Sequence, residues 1–229
     1  MLSTYIYICG TLYFFSMNGI RQTIAISLFY YSLKYIEEKN LKKYLMLNVL
    51  GVINHESAIL FIPLYFILGK KVKFKVKITI IVIIAIMANF LMPFINNLLL
   101  NTKYAMYLTN EAYRTMETLN ISTLVNILLW IIYCIFKCDD NQSTIYSNIH
   151  FCGIIVTLFL LRIPLAMRIF MSFRYIEFLS VPNLIDKNVK YTNTKMLVGF
   201  LVMIVYFIYF IYGVFIKNGN TVLPYKTFF

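Results

Sequence analysis

Four arginines and one histidine stand out from an otherwise apolar sequence. Arg21, Arg162, Arg168 and Arg174 fall in or beside apolar runs, where a charged side chain costs about 2.5–3.5 kcal/mol at a helix centre on insertion scales. A guanidinium is planar and offers a fork of N–H groups, so arginines held in such surroundings suit an anionic headgroup such as pyrophosphate. Arg162, Arg168 and Arg174 recur every six residues in LRIPLAMRIFMSFRYIEFLSVPNLI. That spacing is roughly 9 Å along a helix, so the three cannot all reach one interface. Arg174 has Glu177 at i+3, the spacing of a structural pair, whereas Arg168 has no acid at i±3 or i±4. Arg168 is therefore the one most in need of an anionic partner, and Arg162 and Arg174 are candidates for the same headgroup. Arg21 has two readings, a substrate-facing guanidinium or a side chain snorkelling to the interface. Ala25, Leu28 and Ser32 follow on its face, and small residues there let another helix approach closely.

His55 lies in Asn54-His55-Glu56-Ser57. An imidazole exchanges protons near neutrality and is a candidate general base for a hydroxyl. Without other support, the same string describes a helix cap or an interface residue. His150 opens an apolar segment, and no special role is expected for it. The chain has no glycine-rich phosphate loop, no HExxH and no nucleophile elbow. Cys9, Cys134, Cys138 and Cys152 form no Cys-x2-Cys pair and read as packing residues. No cofactor and no metal are expected.

Membrane helices must position these groups. The 229 residues are 61% hydrophobic and 13% charged, with mean hydropathy +0.76, far from the roughly 25% charged residues of a soluble domain. The net charge of +12 comes from lysine runs between apolar segments, the positive-inside pattern of cytoplasmic loops, and nucleic acid is excluded as a partner. A span needs about 20 apolar residues. Candidates are Leu2–Met17, Ile20–Ile36, Leu41–Ile53, Ala58–Leu68, Ile78–Leu100, Leu124–Phe136, Ile149–Leu161, Leu165–Val181 and Met196–Ile216. The fold class is all-α, a polytopic transmembrane helical bundle of eight or nine apolar segments, some short or re-entrant, forming one integral membrane domain over residues 1–229.

The loops Lys34–Lys43, Lys70–Lys77 and Asp186–Lys195 carry the lysines and are placed inside. The neutral loop Asn101–Ser122 is placed outside, and Lys137–Asn148 is put inside by alternation alone. Leu41–Leu68 must then cross an even number of times, as two short helices turning at His55. That arrangement brings the Arg21 end, the His55 turn and the Arg162 region to the external face. Met1 opens almost directly into an apolar run, without a removable signal. The chain is therefore expected to be the C-terminal part of a longer polytopic protein.

The string NGIRQTIAISLFYYSLKYIEEKNLKKYLMLNVLGVINHESAILFIPLYFI resembles the signature region of the EpsG family, through Asn18, Arg21, Gln22, Ala25, His55, Ser57, Ala58 and Pro63. The segment MRIFMSFRYIEFLSVPNLI is similar to a later family segment through Arg168, Phe173 and Pro182, and VLPYKTFF is similar to the family's ending through Pro224 and Tyr225. The resemblance implies a Wzy-like polymerase of exopolysaccharide, capsule or O-antigen repeat units in the bacterial cytoplasmic (inner) membrane. Its implied substrate is an oligosaccharide on undecaprenyl pyrophosphate. Arg21 and Arg168 would hold the pyrophosphate, His55 would orient or deprotonate the attacking hydroxyl, and Gln22 and Ser57 would contact substrate. Membrane lipids surround such a protein, and a chain-length regulator and a flippase of the same pathway are further partners it implies. The rival readings are a flippase or transporter of lipid-linked sugars, an O-antigen ligase-type transferase, and an inert fragment or scaffold.

Overall fold

The structure, a computed structural model, describes residues 1–102, 105, 121–136, 140–159 and 165–218. Among these, every regular element is helical: α1 Leu2–Cys9, α2 Leu12–Asn18, α3 Ile20–Ser32, α4 Lys34–Glu37, α5 Leu41–Asn54, a 3-10 segment Glu56–Leu64, α6 Tyr65–Leu68, α7 Phe74–Leu100, α8 Ile121–Ile135, α9 Asn141–Phe159, α10 Leu165–Arg174, α11 Glu177–Asn188, α12 Thr192–Phe210 and a π-helical end Ile211–Ile216. The chain divides into two compact units, Met1–Tyr65 with Tyr175–Phe229, and Phe66–Arg174.

Among the described residues, two helices are long and apolar enough to cross a membrane, over Phe74–Leu91 and Thr192–Ile216. Only 11% of either stretch is buried in the protein, so their apolar surfaces face outward, as lipid-facing helices do. The other described helices are shorter or less apolar, so the count of eight or nine spans is not confirmed. Leu2–Met17 is two helices, because the chain reverses at Gly10-Thr11, where Thr11 adopts φ 64° and ψ 8°. A β-branched residue rarely takes this left-handed conformation, so Thr11 is held there by its surroundings. It is 8% exposed, and a Cβ on Gly213 would sit 3.4 Å from its methyl. Leu165–Val181 is also two helices, with a break at Tyr175-Ile176. Apolar composition conceals such breaks, since hydropathy is blind to backbone direction.

In the first unit, α3 packs on α5 and the 3-10 segment. The contact is made close by small residues: a Cβ on Gly51 would lie 3.5 Å from Ala58 Cβ and 3.6 Å from the Ala25 carbonyl oxygen. Asn48 Nδ2 donates to Ser32 Oγ at 2.9 Å, and Phe29 stacks on Phe61 with ring centroids 4.3 Å apart. Tyr44 Oη donates to the Phe61 carbonyl at 2.6 Å, closing α5 and the 3-10 segment into an antiparallel hairpin. With 14 residues, α5 is about 21 Å long, short of the ~30 Å of bilayer hydrocarbon. Alanine at Gly51 fits at ordinary contact distance. Leucine does not, and Gly51→Leu is expected to cost about 1–3 kcal/mol by forcing α3 and α5 apart. Thermal melts of the three proteins in detergent test this, and a leucine variant as stable as wild type would refute the close packing. On the other side of this unit, α1 meets α11 and α12, and Tyr5 Oη donates to the Met203 carbonyl at 3.1 Å. Between α11 and α12, Lys195 Nζ lies 2.7 Å from Asp186 Oδ1 and holds that carboxyl below its ordinary range.

In the second unit, α8 and α9 pack through Trp130, Phe151 and Ile154. The α9 helix begins eight residues before the apolar run starting at Ile149, because Asp140 Oδ2 caps it by accepting from Ser143 N at 3.1 Å. Its polar early turns bury Ser143 and Asn148. Asn148 Nδ2 donates to the Leu68 and Lys70 carbonyls at 2.7 and 2.9 Å, so the residues expected in a loop are structural. Lys77 also departs from the expected loop. It is 5% exposed, with Nζ 3.3 Å from Ser147 Oγ and 5.4 Å from the Phe151 ring centroid. Lys70, Lys71, Lys73 and Lys75 remain exposed.

Candidate functional site

His55 ends α5 in extended conformation, φ −153° and ψ 119°, and caps the 3-10 segment that follows. Its Nδ1 lies 2.7 Å from Ser57 Oγ and accepts from Ser57 N at 3.4 Å. The cap thus brings together two side chains that a continuous helix would point apart. The hydroxyl can serve either tautomer. It donates to a bare Nδ1, the tautomer that also accepts from Ser57 N, or it accepts from Nδ1–H, which gives up the Ser57 N bond and puts the lone pair on Nε2. Both residues are half-buried, and Glu56 between them is exposed. His55 is therefore a cap by geometry and a candidate base by chemistry.

Gly19 starts α3, whose exposed side carries Arg21, Ile24 and Ser27. Gln22 is turned inward and is 6% exposed. The antiparallel order of the α3–α5 contacts, Ser32 with Asn48 and Ala25 with Gly51, sets the first turn of α3 level with the His55 end of α5. Arg21, Gln22, His55 and Ser57 thus occupy the same end of the first unit. Lys42 and Lys43 lie at the other end of α5.

The remaining arginines belong to the second unit or lie outside the described residues. Arg168, in the first turn of α10, is exposed. Arg174, six residues on, is 1% exposed, with Nη1 4.0 Å from Met171 Sδ. Six residues turn a helix by about 240°, which accounts for the contrast. Burial suits Arg174 to a structural role rather than to substrate contact, and the expectation for it is revised accordingly. Arg162 lies outside the described residues, as do Cys138, most of the Asn101–Ser122 loop, and Pro224 and Tyr225.

Tyr175 and Thr23 were not singled out from the sequence. Tyr175 Oη donates to the Leu12 carbonyl at 3.0 Å and lies 3.5 Å from Thr23 Oγ1, tying α2 and α3 to the start of α11. The only sequence signal was the density of aromatic residues around positions 173–178. His150 is fully buried, with Nδ1 2.7 Å from Asn126 Oδ1. Asn126 Nδ2 returns a bond to the His150 carbonyl at 3.0 Å. This reciprocal pair joins α8 to α9 and is a structural polar contact.

No curated protein and no solved structure matches the chain. The model of the EpsG family matches residues 1–227, nearly the whole length. That match agrees with an all-helical protein bearing two apolar helices of membrane length, and it associates the chain with membranes and with polysaccharide biosynthesis of the polymerase type. The chain belongs to the EpsG family.

Proposed function

We propose that this protein joins oligosaccharide repeat units carried on undecaprenyl pyrophosphate at the external face of the bacterial cytoplasmic membrane, where it sits as a multi-pass protein. The observation that carries this reading is the His55–Ser57 contact of 2.7 Å at a hairpin tip on the same end of the unit as Arg21. Lys42 and Lys43 at the opposite end support placing that end on the cytoplasmic side.

In the proposed reaction a sugar hydroxyl of one lipid-linked unit attacks the anomeric carbon of another. The new glycosidic bond forms as the bond from that carbon to the pyrophosphate oxygen breaks, and undecaprenyl pyrophosphate departs. In the His55 tautomer that gives up the 3.4 Å bond from Ser57 N, Nδ1–H donates to Ser57 Oγ and fixes the ring, and the sugar hydroxyl proton passes to the Nε2 lone pair. Arg21 and Arg168 hold the pyrophosphate and stabilise its growing charge. Arg162 is a further guanidinium for that headgroup, and Gln22 supports the turn from which Arg21 projects. A flippase and a chain-length regulator of the same pathway would deliver the units and set the number joined.

The chain-length distribution of surface polysaccharide tests this reading. Deletion of the gene should leave single repeat units at the cell surface, and the intact locus should restore long chains. Repeat units retained on the cytoplasmic side would instead indicate a flippase. Long but unattached polymer would indicate a ligase, and unchanged chains would overturn the enzyme reading.

A further inference from the structure

Residues 70–77 lead into α7 as an alternation of lysines and apolar side chains, KKVKFKVK. Lys70, Lys71, Lys73 and Lys75 are exposed, and so are Val72, Phe74 and Val76 between them. No Asp or Glu occurs between Glu56 and Glu111, so the neighbouring sequence supplies this strip with no counter-charge. Its position deepens the imbalance. Lys73 is the N-cap of α7 and the first turn holds no acid, although the dipole at a helix start favours anions and disfavours cations. Sidedness alone would be met by lysines anywhere in the loop.

The strip is held in place from within the second unit. Asn148 Nδ2 donates to the Lys70 carbonyl at 2.9 Å, Phe74 stacks on Trp130 with ring centroids 5.6 Å apart, and Lys77 Nζ lies 3.3 Å from Ser147 Oγ. The exposed lysines thus project from a fixed backbone and lose less freedom on meeting a partner than a loose loop would. What the partner is follows from the helix they open. From Phe74 to Leu91, α7 turns an apolar surface of membrane length outward, about 27 Å at 1.5 Å per residue, close to the thickness of bilayer hydrocarbon. The strip therefore lies where hydrocarbon gives way to headgroups. Trp130, the one tryptophan of the chain, stands beside Phe74 at that level, as interfacial tryptophans do.

We propose that residues 70–75 form a docking strip for anionic phospholipid headgroups, which gathers them at this end of α7 in preference to zwitterionic lipid. The lysines meet the phosphates, while Val72, Phe74 and Val76 reach the acyl boundary beneath them. A soluble acidic partner would have to displace the bilayer that already surrounds the helix. The inference goes beyond the proposed function and needs only the membrane placement of α7.

The test reconstitutes the full chain in bilayers of dioleoyl phosphatidylcholine and dioleoyl phosphatidylglycerol, with one lipid at a time carrying brominated acyl chains. Quenching of Trp130, the chain's own reporter beside Phe74, gives the relative affinity of the two lipids at the strip. Phosphatidylglycerol should be favoured about tenfold at low salt, since several lysines near one anionic surface each contribute, and the preference should shrink as salt rises. Lys70→Gln, Lys73→Gln and Lys75→Gln together should bring it to parity, and each alone should remove a part of it. Unchanged quenching by brominated phosphatidylcholine alone shows that α7 still packs on Trp130 in these variants. Lys42→Gln, Lys43→Gln and Lys190→Gln together remove the same charge from the first unit and should keep the preference. Parity in the wild type would overturn the proposal, as would a preference that survives the first set or falls equally with the second. Displacement of the anionic lipid by sn-glycerol 3-phosphate at constant ionic strength would show a site for free phosphate and overturn it too.

Discussion

Replacing Arg168 by alanine is expected to leave a cell making only single repeat units, with the protein still in the membrane at its normal amount. The side chain is exposed at the start of α10, so truncation opens no cavity. Removing one charge-stabilising donor from a reacting centre typically costs about 10²–10³ in rate. A processive polymer is sensitive to such a loss, since a step slowed that far is outrun by export or ligation of short chains. Lysine should rescue little, because an ammonium keeps the charge and lacks the planar two-point fork. Polysaccharide gels of the alanine and lysine strains, with immunoblots of their membranes, decide the point. Chains of normal length in both would remove Arg168 from the mechanism.

The second large effect concerns His55 and separates the cap from the proposed base. Alanine removes both the cap and the base, so its result alone is ambiguous. Asparagine is among the strongest capping residues and can accept from Ser57 N, yet it has no lone pair that takes a proton at neutral pH. His55→Asn should therefore accumulate and melt like wild type while losing about 10²–10⁴-fold in elongation rate, the usual contribution of a general base. An asparagine variant that polymerises normally would make His55 a cap and nothing more. Ser57→Ala should fall between the two, with about a tenfold loss, because it frees the ring without removing it.

The parts of this fold that could be read in the sequence are those where charge or side-chain size varies along the chain. The turn at His55 was legible because polar residues interrupt an apolar run between lysine-bearing segments. The close face of α3 was legible because Ala25 and Ser32 are small and properly spaced. What escaped were changes of backbone direction inside uniformly apolar stretches, at Thr11 and at Tyr175, where nothing in the composition changes. The buried polar residues also escaped. Ser143, Asn148 and Lys77 look like loop residues until Asp140 is seen to start a helix there and Ser147 to meet the lysine. The His55–Ser57 contact needed the extended conformation of His55, a local event that spacing by helix periodicity argues against. The cluster of rings beside α3 was the least legible, since Tyr7, Tyr30 and Phe178 come to it from α1, α3 and α11.

The first unit is discontinuous in the chain, and this has a consequence in time. The α1 helix finds its packing partners in α11 and α12, which a ribosome makes only after the whole stretch Phe66–Arg174. At the usual 5–20 residues per second, α1 waits roughly 8–34 s for the start of α11. An eight-residue helix is too short to span a bilayer, whereas α3 and the His55 hairpin are neighbours in sequence and can pair at once. The end of the unit that carries Arg21 and His55 is thus born early, and the ring cluster that Tyr7 forms with Tyr175 and Phe178 is assembled last.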